Sequence, residues 1–205
     1  IHIKKRSDRR LNPDAETRRI FLDAMEKTVR LLKNHPCICL WTVFNEGWGQ
    51  FDSDRVYQIL RKLDDTRFID TTSGWFKKQE SDVESDHVYF KKIKLKSVKG
   101  RPMVLSEFGG YSYKVENHAF NLDKTYGYRF FTDGEAFMDA LEGLYLDEVI
   151  PAIKNDGLCA TVYTQVSDVE DETNGLYTYD RQVLKDDAER MKKISDALYK
   201  AFENK

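Results

Sequence analysis

The sequence predicts a parallel α/β architecture of the barrel type. Three observations carry this: amphipathic helices alternate with short apolar strands, two of the strands run out into a glutamate, and no glycine-rich phosphate loop interrupts the series. Barrels and doubly wound sheets both place active groups at the carboxyl ends of strands, barrels almost without exception. A GxGxxG turn would favour a doubly wound nucleotide fold, and its absence favours the barrel.

Asn12-Pro13-Asp14 supplies an N-cap, a proline at the first helical position and an acidic first turn. Phe21, Met25, Val29 and Leu32 follow at helical spacing, so a helix is expected from about Pro13 to Lys33, stopped by Asn34-His35-Pro36. The run Cys37 to Phe44 is apolar on both alternating faces, as in a strand covered on both sides, and ends abruptly in Asn45-Glu46. Val56, Ile59, Leu60 and Leu63 mark a second helix, with a short strand around Phe68 to Thr72 behind it. His87 to Phe90 and Met103 to Leu105 read as two more strands, and Ser106-Glu107 follows the second before a Gly109-Gly110 turn. Thr132-Asp133-Gly134-Glu135 has the capping-box pattern and opens a long helix through Phe137, Leu141, Leu144 and Val149 toward Pro151. A strand near Leu158 to Tyr163 precedes a closing helix, about Lys185 to Phe202, with Met191, Ile194 and Leu198 on one face. These are five strands where a barrel needs eight, so the later part of a barrel is expected.

With 205 residues, 40% of them hydrophobic, the chain is long enough for one domain with a sizeable core. Its formal charge of -2 gives no overall field for nucleic acid or an anionic membrane, so a neutral small ligand or a protein partner fits better. Tyr 11, Phe 12 and Trp 3 make aromatic faces plentiful, and such faces suit sugar rings as well as cores. Cys37, Cys39 and Cys159 are an odd set without disulfide or zinc spacing and read as reduced core residues. Unpaired cysteines and no visible signal segment or membrane span make the cytoplasm the expected location, although a chain opening at Ile1 is uninformative about targeting.

Glycoside hydrolysis needs one carboxylic acid to protonate the leaving oxygen and, in retaining enzymes, a second carboxylate about 5–5.5 Å away to attack the anomeric carbon. Glu46 and Glu107 at two strand ends are suited to those roles, whereas a lone glutamate there is commonly a cap or a solvated charge. The surrounding text is more telling. LWTVFNEGWGQFD (Leu40 to Asp52), DTTSGW (Asp70 to Trp75), HVYFKK (His87 to Lys92), VLSEFGGYS (Val104 to Ser112) and TVYTQVSDVEDETNGLYTYDR (Thr161 to Arg181) resemble, in order and spacing, glycoside hydrolase family 2, the β-galactosidase and β-glucuronidase relatives. Asn-Glu ending the fourth barrel strand and a second Glu ending the seventh belong to a whole clan, while the last stretch points to family 2.

The resemblance implies a (β/α)8 TIM barrel, of which residues 1–205 supply the C-terminal portion: strands four to eight with their helices, and the helix before strand four. The family's jelly-roll and immunoglobulin-like domains and its first three barrel strands would lie outside this chain, leaving unpaired strand edges and exposed apolar surface. It implies Glu46 as acid/base, Glu107 as nucleophile, Asn45 on the sugar 2-hydroxyl and Tyr89 donating a hydrogen bond to Glu107. It implies an exo-acting β-glycosidase with a carbohydrate substrate and neither cofactor nor metal, β-galactosidase first and β-glucuronidase second. The preceding domains or a second copy of the chain are the partners expected. A noncatalytic fragment and an endo-glycanase of the same clan stand as alternatives.

Trp48, in Gly47-Trp48-Gly49, is a candidate for stacking a sugar in the leaving-group subsite or for covering the barrel top. Trp75 reads as packing. Tyr163 and Gln165 stand where relatives carry an aromatic platform under the sugar. His87 would meet a substrate hydroxyl or hold Tyr89, since alternation puts the two on one face. His35 and His118 read as structural or exposed. Asp168, Glu170, Asp171 and Glu172 lack EF-hand spacing and read as a loop of caps and salt bridges, and Lys91 to Lys99 as a solvated basic stretch.

Overall fold

The computed structural model describes residues 14–203. They fall into two units, one running to Asp86 and taking in Lys99–Pro102, the other built from His87–Val98 and from Met103 onward. Among the described residues no helix is long and apolar enough to cross a membrane.

In the first unit, helix α1 (Ala15–Leu32) is capped by Asp14, whose carboxylate accepts from Thr17 N at 2.7 Å. The cap expected at Asn12, with Pro13 opening the helix, lies outside the described residues; the acid read as part of the first turn is itself the N-cap. Strand β1 (Leu40–Asn45) starts three residues later than expected, because Ile38 N turns back onto His35 O at 3.2 Å. Cys37 and Cys39 therefore sit in an exposed turn, not in the core. β1 pairs in parallel with β2 (Phe68–Ser73), from Leu40 opposite Phe68 to Asn45 opposite Ser73. Helix α2 (Ser53–Leu63) buries Val56 and Leu60. Two apolar clusters result, Val29 with Leu60 and Ile69, and Phe44 with Phe51 and Val56. Phe21 of α1 stacks on Phe44 at 5.1 Å and meets Phe51 edge-on at 5.5 Å, an arrangement that suits the ring quadrupoles.

Strand β3 (Glu84–Val88) begins in the first unit and ends in the second. It lies a few residues ahead of the expected His87–Phe90, so Tyr89 and Phe90 follow the strand in a bend. In the second unit β4 (Met103–Gly109) pairs in parallel with β7 (Leu158–Thr164), and the sheet order is β3-β4-β7. β4 is longer than the apolar run suggested: Ser106 and Glu107 lie inside it, because pairing to β7 continues past a register irregularity to Gly109 opposite Thr164. β5 (Tyr111–Tyr113) and β6 (Arg129–Phe131) form a further parallel pair that the sequence did not announce, each being three residues long beside glycine-containing turns.

Helix α3 (Gly134–Gly143) is capped by Asp133, whose Oδ1 accepts from Ala136 N at 2.8 Å, so Asp133 takes the place expected of Thr132. The helix does not stop before Pro151. It passes through a π-helical stretch, Leu144–Val149, into α4 (Ile150–Asp156), with proline in the first turn of the new segment. A proline lacks the N–H that an α-helix interior would use and crowds the carbonyl four residues back, and a wider turn ahead of it relieves both. Helix α5 (Ala188–Glu203) starts three residues after Lys185, which is buried in a loop instead. The core joins Met103, Leu105 and Phe108 of β4 to Phe137, Leu141, Val149, Leu158 and Ile194. Of β7 only Leu158 is buried, and Cys159, expected in the core, is exposed with its Sγ donating to Met103 O at 3.1 Å.

Candidate functional site

In the first unit, Asn45 closes β1, and Glu46 N donates to Ser73 O at 3.0 Å across the parallel pair. Glu46 then takes φ of +53°, a left-handed conformation that a side chain with a Cβ adopts at a cost of about 1–3 kcal/mol. Gly47 follows at +81°, and Trp48 N closes the turn onto Asn45 O at 2.9 Å. The Phe76 ring lies so close to Gly47 that an added Cβ would come within 2.5 Å of it. Gln50 N donates to Gly47 O at 3.3 Å and its buried side chain holds Phe76 O at 3.1 Å, so a packed ring and three backbone bonds fix the strained glutamate. Trp48 stands out from this turn, 80% exposed, while Trp75 is half-buried.

In the second unit, His87, Tyr89 and Glu107 meet. The Tyr89 hydroxyl donates to Glu107 Oε2 at 2.5 Å, and His87 Nδ1 lies 3.3 Å from the same oxygen. His87 is fully enclosed while Glu107 keeps about a third of its side chain open. Two residues apart, His87 and Tyr89 share a face although β3 ends between them. Thr164 Oγ1, at the end of β7, lies 3.0 Å from the Tyr89 hydroxyl. Burial, with the adjoining Glu107 carboxyl, pushes the Tyr89 phenol far up, so it stays protonated and serves as a donor to Glu107.

Other predicted residues lie differently. Tyr163 packs its ring against Phe108 at 5.6 Å and Tyr145 at 6.3 Å, on top of Gly109, where a Cβ would come within 2.3 Å of it. The amide of Gln165 donates to Glu172 Oε2 at 2.9 Å and Asn174 Oδ1 at 2.8 Å. The acidic loop is tied by protein partners. Asp168 Oδ1 accepts from buried Lys185 at 2.7 Å and Gly175 N at 2.8 Å, and Asp171 accepts from Asn121 at 3.0 Å. His118, read as structural or exposed, pairs with Asp180 at 2.8 Å. Thr164 and Tyr128, the latter stacked on Tyr89, were missed by sequence reasoning: neither lies in a motif with its partner, and no local signal links residues so far apart.

The sequence matches the family described as glycosyl hydrolases family 2, TIM barrel domain, over residues 2–115. The chain belongs to glycosyl hydrolase family 2. No curated protein matches it. Among solved structures, this family 2 chain is similar to a β-D-glucuronidase from Dictyoglomus thermophilum, at 18% identity and a TM-score of 0.60, over 90% of this chain and 36% of that one. It is also similar to Bacteroides uniformis β-glucuronidase 2 with covalently bound cyclophellitol-6-carboxylate aziridine, at 16% identity and a TM-score of 0.52, over 78% of this chain and 24% of that one. A candidate β-galactosidase from Bacteroides fragilis aligns at 16% identity and a TM-score of 0.51, over 89% of this chain and 31% of that one. The family 2 chain thus has the fold of part of a TIM barrel and spans about a third or less of these relatives' lengths.

Proposed function

We propose that this chain carries the catalytic residues of a retaining β-glycosidase that removes terminal β-linked sugars, with Glu107 as nucleophile and Glu46 as general acid/base. The observation that carries the reading is the Glu107 carboxylate inside β4, its Oε2 met by the Tyr89 hydroxyl and by His87. The phenol donor fixes the direction of one carboxylate oxygen, and a nucleophile must be held in such an orientation to attack. Membership of family 2 supports the reaction class, and the covalent adduct named for the B. uniformis relative supports a covalent intermediate.

In the first step a Glu107 oxygen forms a bond to the anomeric carbon as the glycosidic C–O bond breaks, and the Glu46 proton passes to the leaving oxygen. In the second, a water oxygen attacks the same carbon, Glu46 takes the water's proton, and Glu107 leaves as carboxylate. Asn45 would hold the 2-hydroxyl, where hydrogen bonds strengthen in the transition state. Trp48, exposed on its turn, offers a stacking face to the leaving group. Gln165 and Tyr163 serve the sugar subsite in this reading.

The substrate is a β-galactoside in the first instance, a β-glucuronide in the second. Both are tested by incubating the protein with 2-fluoro aryl β-galactosides and β-glucuronides, followed by intact mass and peptide mapping. A glycosyl adduct on Glu107 establishes nucleophile, retention and sugar class together. An adduct on another residue, or none on this chain and none on a longer protein containing it, overturns the reading for those sugars.

A further inference from the structure

Tyr89 lies beyond the end of β3, where no strand pairing fixes its ring, yet its hydroxyl must meet one oxygen of Glu107. The ring is supported by another aromatic. Tyr128 lies parallel to it, centroids 3.9 Å apart and planes 11° apart. Tyr128 is in turn held from its own backbone, its N–H donating to Gly110 O at 3.0 Å, one residue ahead of β6. Phe90 and Tyr126 meet it edge-on at 4.9 and 5.8 Å.

Two glycines make this stack possible. A Cβ on Gly110, which sits at φ +63°, would come within 2.3 Å of the Tyr128 ring and 3.2 Å of the Tyr89 ring, so both rings rest over bare backbone. A Cβ on Gly127 would collide with Ser112, whose Oγ donates to Tyr126 O at 2.9 Å. The segment Tyr126-Gly127-Tyr128 is thereby pressed against β5, and β5 follows directly on the strand that carries Glu107. Ordinary core packing would explain a buried ring. It does not explain a parallel ring laid over the phenol that donates to Glu107, on a backbone without room for side chains beneath it.

We propose that Tyr128 is a positioning residue: its ring holds Tyr89 in the orientation that keeps the phenol hydrogen bond on Glu107. The catalytic consequence rests on Glu107 being the nucleophile, whereas the positioning itself does not. When a Glu107 oxygen attacks carbon, the hydrogen bond at Oε2 sets which lone pair faces the substrate, and a phenol free to swing would lose that direction.

The test compares Tyr128→Leu with Tyr128→Phe in the full chain, each alone and combined with Tyr89→Phe. The first readout is the Tyr89 hydroxyl proton in the NMR spectrum, assigned by its disappearance in Tyr89→Phe, which needs no substrate. Tyr128→Leu should abolish or broaden that resonance, and Tyr128→Phe, which keeps the stacking face, should retain it. The second readout is turnover of aryl β-glycosides: Tyr128→Leu should lower kcat on the order of tenfold with KM little changed, Tyr128→Phe should restore it, and Tyr128→Leu should cause no further fall once Tyr89 is Phe. Should Tyr128→Leu fail to fold, Gly110→Ala displaces both rings without removing either and should give the same loss.

The proposal is overturned if the resonance survives in Tyr128→Leu, if Tyr128→Phe is as damaging as Tyr128→Leu, or if Tyr128→Leu keeps its full effect in the Tyr89→Phe background. Absence of turnover both in the unsubstituted chain and in a longer protein containing it would count against the glycosidase reading, and the hydroxyl resonance would still decide the role of Tyr128.

Discussion

Glu46 is held with a positive φ in a turn closed on both sides by backbone hydrogen bonds, a conformation in which any residue with a Cβ is strained. A glycine would take the same conformation without strain. Glu46→Gly should therefore raise the urea midpoint by an amount worth about 1 kcal/mol, while Glu46→Ala, which keeps the Cβ, should not. An unchanged or lower midpoint for Glu46→Gly would mean that the side chain stabilises its own turn and the strain argument fails. Asp64 is the opposite case, a carboxylate whose value to the fold is structural. Burial works against its charge, but hydrogen bonds from Thr66 and from Trp41 Nε1 at 2.9 Å outweigh it and hold the carboxyl at about 2, below the ordinary 3.8. A depressed pKa contributes stability that is complete above the unfolded value and is lost as pH falls through the folded one. Between pH 5 and pH 2 the melting temperature should fall further in the unsubstituted protein than in Asp64→Asn, and parallel curves for the two would show that Asp64 is not the group responsible.

The two N-caps illustrate how far local sequence reaches. Both Asn12-Pro13-Asp14 and Thr132-Asp133 offer more than one residue with a capping side chain, and periodicity places the helix without choosing among them. The structure has Asp14 and Asp133 in the role. Asp133→Ala should lower stability by about 1 kcal/mol and Thr132→Ala by much less; equal losses in thermal melts would restore the capping-box reading. Helices α1, α2 and α5, and strands β1, β2 and β7, were legible because each carries its own apolar period or apolar run. β5 and β6 were not, since three-residue strands have no period to detect, and β3 was shifted because Tyr89 and Phe90 look like strand residues but are held by ring contacts. The passage through Pro151 was hidden for a different reason: a π turn costs the helix register and leaves no mark in composition. At the site, His87, Tyr89 and Glu107 could be found because strand alternation and motif order are local properties. Thr164 and Tyr128 could not, because their positions follow from the pairing of β4 with β7 and of β5 with β6.

An eight-stranded barrel has no free edge. Among the described residues β7 ends its sheet, with Val162 56% exposed on it, and β1 is paired with β2 alone. Tyr199 and Phe202 of α5 stand 70% and 51% exposed beside a groove whose floor is Leu158 and whose walls include Val149, Ile153 and Leu198. Contiguous apolar surface next to an unpaired strand edge is unstable against association unless something covers it. In our reading the cover is the earlier part of the same barrel, carried by a longer protein such as those of which this chain spans about a third. The free 205-residue chain should then bind a hydrophobic dye and associate as its concentration rises, and a version extended through the earlier strands should melt higher, bind little dye and run as a defined species. Charged substitutions separate this from general stickiness. Val162→Lys on the β7 edge should suppress association of the free chain yet lower the melting temperature of the extended protein, because the same position is solvent-facing in one and enclosed in the other. If Val162→Lys is harmless in both, the edge is an ordinary exposed strand and the barrel closes elsewhere.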